Sequence, residues 1–504
     1  MRLAELFDRA GLVCPPDKGN IEITGIATDS RKITAGCLFL CVKGLHTDGH
    51  LYMEEAVRAG ASVIVAEYMR DVCVGGAAII MIENTRSASA LLYNAWFGNP
   101  AEKLKIIGVT GTNGKTSVTC LLCSLLEAAG HRVGVIGTVG SHSAEQRKMD
   151  LHSGGRLANM TTPDPDVLYE MLARMVQDGV EYVCMEVTSH ALALGKCDAI
   201  VFDTAVFTNL TQDHLDFHGN MENYYQAKKK LFGMCRRAVV NLDDPSGVRL
   251  CRELPYKIYG CSVGGNADFT ACDVRMRGAE GFDFRLRYGV QTLDLSLPLV
   301  GEFMVINSLE AAAVALLYGT EPQIIADSLA KAQGAPGRME AVKLSDTPED
   351  APDFSVLIDY AHTPDALEKL LSGVRSFHAG RIILLFGCGG DRDRGKRALM
   401  AQVACRGADA IILTEDNSRS EPPERILSDI LGGMDCRVPF AMIRGRERAI
   451  AFAVKELEAG DCLLLAGKGH EQYEINAEGR VPFCEAQIVR EAFLRYHKKS
   501  KTGE

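Results

Sequence analysis

The residues best fitted to do chemistry lie between Lys105 and Thr116, where the apolar segment Ile106 to Val109 runs into a glycine-rich turn closed by Lys115 and Thr116. Such a turn lets successive backbone N–H groups face a polyphosphate, while the lysine reaches the β/γ oxygens and the hydroxyl after it ligates Mg²⁺. The spacing departs from the commonest form: in G-x-x-x-x-G-K-[ST] the first glycine would fall at Val109, and here it is Gly108. A glycine-rich turn without chemistry leaves unexplained why Lys and Thr follow the last glycine between a strand and a helix. Gly111, Thr112, Asn113, Gly114, Lys115, Thr116 and Ser117 are the expected nucleotide-binding residues.

Other polar clusters lie just beyond apolar segments, the place where open α/β sheets bind ligands. Tyr182 to Val187 leads into Glu186-Val-Thr-Ser-His190, and Thr204 to Phe207 into Thr208-Asn-Leu-Thr-Gln-Asp-His214. A carboxylate at a strand tip beside a phosphate loop is a hard oxygen donor for nucleotide-bound Mg²⁺, which singles out Glu186. His190 or His214 alone reads as a packing residue; two histidine-bearing tips beside one loop favour function. Lys228, within Lys228-Lys-Lys230, reads by itself as part of a solvated charge run.

The elements that must position these groups alternate as strand and helix, which predicts an α/β fold. Residues 1 to about 100 form a small α/β unit, with strands at Gly36 to Val42 and Ala61 to Ala66 and a helix around Tyr52 to Ala59. From Lys105 follow strands at Ile106 to Val109, Arg132 to Ile136, Tyr182 to Val187, Thr204 to Phe207 and Ala238 to Asn241, with a helix over Lys115 to Ala129. Alternation in Phe282 to Tyr288 and Thr292 to Leu297 predicts an antiparallel extension. A third run has strands at Ser355 to Ile358, Arg381 to Phe386, Ala410 to Leu413 and Cys462 to Leu465. Three domains are expected: 1–103; 104–336, a central phosphate-loop parallel sheet wrapped by helices; and 337–504, a Rossmann-like α/β domain.

Composition excludes several classes. The 504 residues carry 55 Lys plus Arg against 65 Asp plus Glu, a net charge of -10, which argues against nucleic acid as a partner. The 17 cysteines form no disulfide-like framework, and Cys120 with Cys123 reads as core rather than as zinc ligands. Met1-Arg-Leu-Ala-Glu-Leu-Phe7 has no leader pattern and no apolar run is long enough for a membrane, so the cytoplasm is expected.

Eight segments taken in order resemble the Mur ligases: Gly111-Thr-Asn-Gly-Lys-Thr116, Glu186-Val-Thr-Ser-His190, Asn209-Leu-Thr-Gln-Asp-His214, Ala227-Lys228 with Leu231-Phe232, Gly337-Arg-Met-Glu340, Asp359-Tyr-Ala-His362, Phe386-Gly-Cys-Gly-Gly-Asp-Arg392 and Gly467-Lys-Gly-His-Glu471. Within that family the likeness is greatest to the ligases that add the third residue of the peptidoglycan stem peptide. It covers almost the whole chain, including Asp29-Ser-Arg31 and Asp48-Gly-His50. The resemblance implies that ATP phosphorylates a carboxylate of UDP-N-acetylmuramoyl-L-alanyl-D-glutamate and that the amine of meso-diaminopimelate attacks the acyl phosphate. It implies catalytic roles for Lys115, Glu186, His214 and Lys228, with one Mg²⁺ on Thr116 and Glu186 and a second involving His214 and a carbamylated Lys228. It places the UDP end in the first domain, at Ser30 and Leu45-His-Thr47, ATP in the second, and the amino acid in the third. Contacts to the muramyl peptide fall by resemblance on Thr161, Thr162, Thr188 and Lys196. Those to the diamino acid fall on Arg392, on Asp416, Asn417, Ser418 and Arg419, and on Gly467 and Glu471, with the arginines on carboxylates and Glu471 on an ammonium. Guanidinium forks suit carboxylates because they bind them bidentately. From spacing alone Arg419 is equally a surface ion-pair partner of Glu415 or Glu421. A monomer is expected.

Some positions depart from the family pattern. Ser418 replaces a proline, Met160 an asparagine, Leu194 a glutamine, Lys196 an arginine and Met304 an asparagine. These departures motivate one alternative, a paralogue that joins a different carboxylate and amine. Another is a nucleotide-binding regulator without turnover, against which the joint retention of Lys115, Glu186, His214 and Lys228 speaks.

Overall fold

The computed structural model describes residues 1–44, 47–70, 75–138, 140–143 (backbone only), 160–277, 281–345, 352–435 and 437–497. Leu45 and His46, expected at the UDP end, lie outside the described residues.

Three sheets follow one another along the chain. The first has four parallel strands, Ile26–Ala27, Leu38–Leu40, Val63–Ala66 and Ala78–Met81, in that order. Its two expected strands are present but shorter, and Ala78–Met81 was not legible because its four residues carry neither alternation nor full burial.

The second sheet has ten strands. Lys105–Thr110 lies at its middle, between Thr204–Phe207 on one side and Tyr182–Glu186 on the other. These central strands are apolar on both faces, as parallel strands covered by helices on both sides must be. Beyond Tyr182–Glu186 come Val133–Gly137 and antiparallel Gly140–Ser143. On the other flank Ala238–Asn241, Ile258–Val263 and Phe269–Met276 continue parallel; Phe282–Tyr288 and Gln291–Leu297 then turn antiparallel, the extension that alternation predicted. Because the strands after the phosphate loop are added on both sides of it, a crevice opens at the carboxyl end of Lys105–Thr110.

The third sheet runs Glu340–Ala341, Ser355–Asp359, Cys462–Ala466, Ile382–Phe386, Ala410–Leu413, Phe440–Met442, parallel except for the first. A hairpin, Tyr473–Asn476 with Gly479–Pro482, stands apart from it.

The helix after the phosphate loop, Lys115–Ala128, buries Val118, Leu121, Leu122, Leu125 and Leu126 and packs on Phe303–Leu317, which is itself buried on nearly every side. In the middle of that second helix sits Glu310, fully buried, neither of its carboxyl oxygens having a hydrogen-bond partner. Burial, and after it the nearby Asp243 charge, push its carboxyl well above the usual range. The native state therefore keeps this proton after the unfolded chain has released it, so stability falls as pH rises above about 4.3, the ordinary glutamate value. Glu310→Met should stabilise the protein by about 1–3 kcal/mol near neutral pH, the cost of an unsatisfied buried polar group. The gain should shrink toward acid pH. Denaturation of both proteins at pH 5 and pH 8 tests this, and a gain that does not depend on pH would refute it.

Candidate active site

Gly114 begins the helix at φ +86°, and a Cβ there would lie 2.7 Å from Asn307 Oδ1, so the turn demands glycine. Asn209, from the next strand tip, clamps the loop: its Oδ1 accepts the Asn113 N–H at 2.9 Å and its Nδ2 donates to the Asn113 carbonyl at 3.1 Å. The Thr112 hydroxyl donates to the Thr211 carbonyl at 3.1 Å and lies 3.2 Å from the Tyr224 hydroxyl. Ser117 is buried in the first turn of the helix.

Lys115 Nζ donates to the Gly111 and Thr112 carbonyls, both at 2.9 Å, and Lys228 Nζ donates to the same Gly111 carbonyl at 2.7 Å. Far from being solvated, Lys228 is 2% exposed and lies over the Tyr224 ring, while Lys230 is left outside. Burial takes Lys115 below the usual lysine range. Burial and then the charge of Lys115 take Lys228 well below it. Both shifts favour the neutral, nucleophilic form of the amine over the cation, most strongly at Lys228.

Glu186 is 1% exposed at its strand tip. Its Oε2 accepts the Thr116 hydroxyl at 3.0 Å and the Thr138 hydroxyl at 2.9 Å, and its Oε1 accepts the Thr138 N–H at 2.8 Å. Thr138, at the end of Val133–Gly137, was not singled out from the sequence; its place one residue past a strand was the available signal. The Thr161 hydroxyl lies 3.1 Å from that of Thr138, and the Thr162 hydroxyl donates to the Glu186 carbonyl at 2.9 Å. Thr188 N–H donates to Thr162 Oγ1 at 3.0 Å, and its own hydroxyl caps Ser189–Ala193. Lys196 is turned toward this threonine pair, 2.8 Å from Asp164 Oδ1 and 3.5 Å from the Thr162 carbonyl.

His214 adopts a left-handed backbone, φ +53°. Its ring stands edge-on to His190, centroids 4.7 Å apart, and its Nε2 is 3.3 Å from Asp213 Oδ2. Burial, chiefly, takes it down to about 3, so the ring is neutral at physiological pH. Asp213 is a second residue the sequence reading passed over. It is buried, 3.7 Å from His362 and 3.9 Å from Lys396 of the third sheet's unit; burial raises its carboxyl, but hydrogen bonding to His362, and after it the electrostatic pull of His362, His214 and Lys396, outweighs this and holds it far below the usual range. Asp365 makes a second tie across the same boundary, its Oδ2 accepting from Asn113 Nδ2 at 2.9 Å and from the Thr211 hydroxyl at 3.3 Å.

In the first unit, Asp29 and Asp48 cap the turns Ser30–Lys32 and Gly49–Tyr52. The Ser30 hydroxyl donates to Glu55 at 3.1 Å. His50 is fully buried, with Nε2 accepting the Glu67 N–H and Nδ1 2.6 Å from Asp48.

On the third unit two loops carry the arginines and are laced together. Gly390 N–H donates to the Asn417 carbonyl at 2.9 Å, Arg419 Nη1 donates to the Gly390 carbonyl at 2.8 Å, and Asp391 accepts the Ser420 N–H and hydroxyl. Among the described residues Glu415 pairs with Arg444, and Glu421 with Arg397 and Arg425, not with Arg419. Burial, and then the charge of Arg392, disfavour the Arg419 cation, while the Asp416 and Glu471 charges favour it. Asn417 Nδ2 donates to Glu471 Oε2 at 2.7 Å, Asp416 Oδ1 accepts the Asn417 N–H, Glu421 N–H donates to the Ser418 carbonyl, and Gly467 N–H donates to the Asp359 carbonyl.

Comparison with known proteins agrees with this arrangement along the whole chain. Residues 22–107 match the Mur ligase family, catalytic domain; residues 109–315 the Mur ligase middle domain; and residues 337–469 the Mur ligase, glutamate ligase domain. A UDP-N-acetylmuramoyl-L-alanyl-D-glutamate--2,6-diaminopimelate ligase of Syntrophomonas wolfei is 38% identical, covering 97% of this chain and 99% of its own. One of the same name from Geobacillus thermodenitrificans is 40% identical over 98% of this chain and 99% of its own. A solved structure, also of a ligase with that name, superposes with a TM-score of 0.66 at 31% identity, covering 99% of this chain and all (100%) of that one. The Thermotoga maritima MurF ligase, solved in complex with ADP, shares the fold at 19% identity and a TM-score of 0.60, over 94% of this chain and 98% of its own.

Proposed function

The chain belongs to the Mur ligase family, and from that premise we propose that it joins meso-diaminopimelate to UDP-N-acetylmuramoyl-L-alanyl-D-glutamate at the expense of ATP, a step of peptidoglycan precursor synthesis. The observation that carries the reading is the end-to-end likeness, at 38–40% identity, to ligases bearing that name. The geometry supports it. The acceptor's carboxylate oxygen attacks the γ-phosphorus of ATP and the bond to ADP breaks, giving an acyl phosphate; the amine then attacks the acyl carbon and phosphate leaves. Both steps bring anions together, so the chain's part is to hold charge in place. Lys115 and the loop N–H groups receive the triphosphate. Arg392 and Arg419 receive carboxylates of the diamino acid, and Glu471 its distal ammonium. Thr161, Thr162, Thr188 and Lys196 line the way to the muramyl peptide, and Ser30 the UDP end. The domain division is read at about 103 and 336, and the succession of three sheets along the chain supports it.

The Thr116 hydroxyl and Glu186 carboxylate, oxygen donors 3.0 Å apart beside the loop, fit Mg²⁺, which takes one or two protein oxygens and completes its shell with water and phosphate. Bound there it supplies neutralisation of phosphate charge. His214, neutral near physiological pH, and Lys228 are the residues that would hold a second such ion. Lys228 suits that role once carbamylated: its neutral amine adds to carbon dioxide, an N–C bond forms, and a proton leaves, turning an amine into a carboxylate-like ligand. A mass increment of one carbon dioxide on the peptide bearing Lys228 is expected in native protein, and full activity with unmodified lysine would rule this out.

No helix among the described residues is long and apolar enough to cross a membrane. The enzyme is read as a cytoplasmic monomer. Phosphate release measured with ATP and a panel of UDP-muramoyl peptides and diamino acids tests the function. Release should require both the dipeptide precursor and meso-diaminopimelate. Release that proceeds equally well with other pairs, or not at all, would overturn the reading.

A further inference from the structure

Lys468 follows the central strand Cys462–Ala466 by two residues, and its side chain is fully buried, 0% exposed, beneath the loop that carries Arg419. Buried ammonium groups are costly and are retained only where several acceptors surround them. Here Nζ donates to Asn417 Oδ1 at 2.9 Å and to the Tyr473 carbonyl at 3.2 Å, lies 3.6 Å from Asp416 Oδ1 and 3.9 Å from Glu471 Oε2, and faces the Phe483 ring. The backbone closes on the same group: a Cβ at Gly467, φ +118°, would come within 2.7 Å of Asp416 Oδ2.

These contacts decide which way the Asn417 amide points. Its Oδ1 receives two obligate donors, the Lys468 ammonium and the Ile475 N–H at 2.8 Å, so the oxygen must lie on that side and Nδ2 must face Glu471. Arg419 is seated by the same hairpin, its N–H donating to the Ile475 carbonyl at 3.1 Å. Burial works against the Asp416 carboxylate, and the Lys468 and Arg446 charges outweigh it.

We propose that Lys468 is a positioning residue for amino-acid selection: by fixing the Asn417 amide it aims Glu471 at the substrate ammonium and holds the loop from which Arg419 reaches the distal carboxylate. The inference rests on the reading that this loop and Glu471 receive meso-diaminopimelate. Lys468 itself touches no reacting atom.

The test compares the unmodified enzyme with Lys468→Gln, which keeps a donor but loses the charge, and with Lys468→Arg, which keeps the charge but changes its reach. KM and kcat are measured for meso-diaminopimelate and L-lysine, and KM for ATP. A charged hydrogen bond of this kind corresponds to about tenfold to a hundredfold. Lys468→Gln should raise KM for diaminopimelate by that factor, lower the preference over lysine, and leave KM for ATP within about threefold; Lys468→Arg should fall between. A uniform loss affecting ATP and both amino acids alike would mark a merely structural lysine and overturn the proposal, as would an unchanged diaminopimelate KM in folded Lys468→Gln. If Lys468→Gln does not fold, a Lys468→Arg enzyme with unaltered selectivity overturns it. Absence of diaminopimelate turnover in the unmodified protein is a different failure: it removes the function itself, and this inference with it.

Discussion

Lys115→Ala and Glu186→Ala will each lower ATP-dependent phosphate release by about a thousandfold or more, the scale set by removing a group that stabilises phosphoryl transfer. The two should fail for different reasons. Lys115 makes its hydrogen bonds to loop carbonyls rather than to a carboxylate, so its loss leaves two acceptors unpaired, and the fold should survive. Glu186 accepts from Thr116 and twice from Thr138, so Glu186→Ala strands three donors and should cost stability as well, about 1–3 kcal/mol. Glu186→Gln separates these effects, since its amide oxygen can still accept while the negative charge is gone. It should be nearly as inactive as Glu186→Ala but melt close to the unmodified protein. Near-normal phosphate release by any of the three, with the fold confirmed by thermal unfolding, would remove the nucleotide site from this crevice.

Arg419→Ala should erase most of the preference for meso-diaminopimelate over L-lysine. The two amino acids differ by the distal carboxylate, and truncating one partner of a buried charged hydrogen bond costs about 2–5 kcal/mol, or roughly a factor of 30 to several thousand. The loss should fall on diaminopimelate, with lysine turnover little altered. Ser418 in place of proline leaves the loop backbone less restricted, but the left-handed Arg419 residue and its bond to Ile475 supply the restraint that the proline would have given. The effect should therefore lie in the middle of the range rather than at its foot. Equal kcat/KM for lysine and diaminopimelate in the unmodified enzyme would show that Arg419 does not select.

Periodicity located the strands that carry the site, because central parallel strands such as Ile382–Phe386 are unbroken apolar runs that end in polar residues. It failed for Ala78–Met81, Phe440–Met442 and the hairpin Tyr473–Pro482, which are short, partly exposed and held by neighbours rather than by their own pattern. Of the candidate site, Lys115, Thr116 and Glu186 are singled out by residue type and position alone, and the structure brings them to one crevice. Lys228 is not so singled out: only the family likeness selects it from three consecutive lysines, and what separates it from Lys230 is which side of a helix turns inward against Tyr224. Asp213 and Lys468 escaped for a related reason. Each stands next to a residue with a more obvious role, and its own partners arrive from distant parts of the chain.

The pairing of Asn417 and Arg419 with Ile475 has a consequence for any attempt to exchange substrate preference between related ligases. The tetrapeptide 416–419 is not a portable cassette, because its backbone register is written by a hairpin more than fifty residues downstream. Transplanting it alone would leave the host's own hairpin facing an unfamiliar edge and the buried ammonium facing an unfamiliar amide. A graft that moves the loop together with 467–483 carries its scaffold along, and chimaeras built on that larger boundary should exchange selectivity where the shorter ones lose activity.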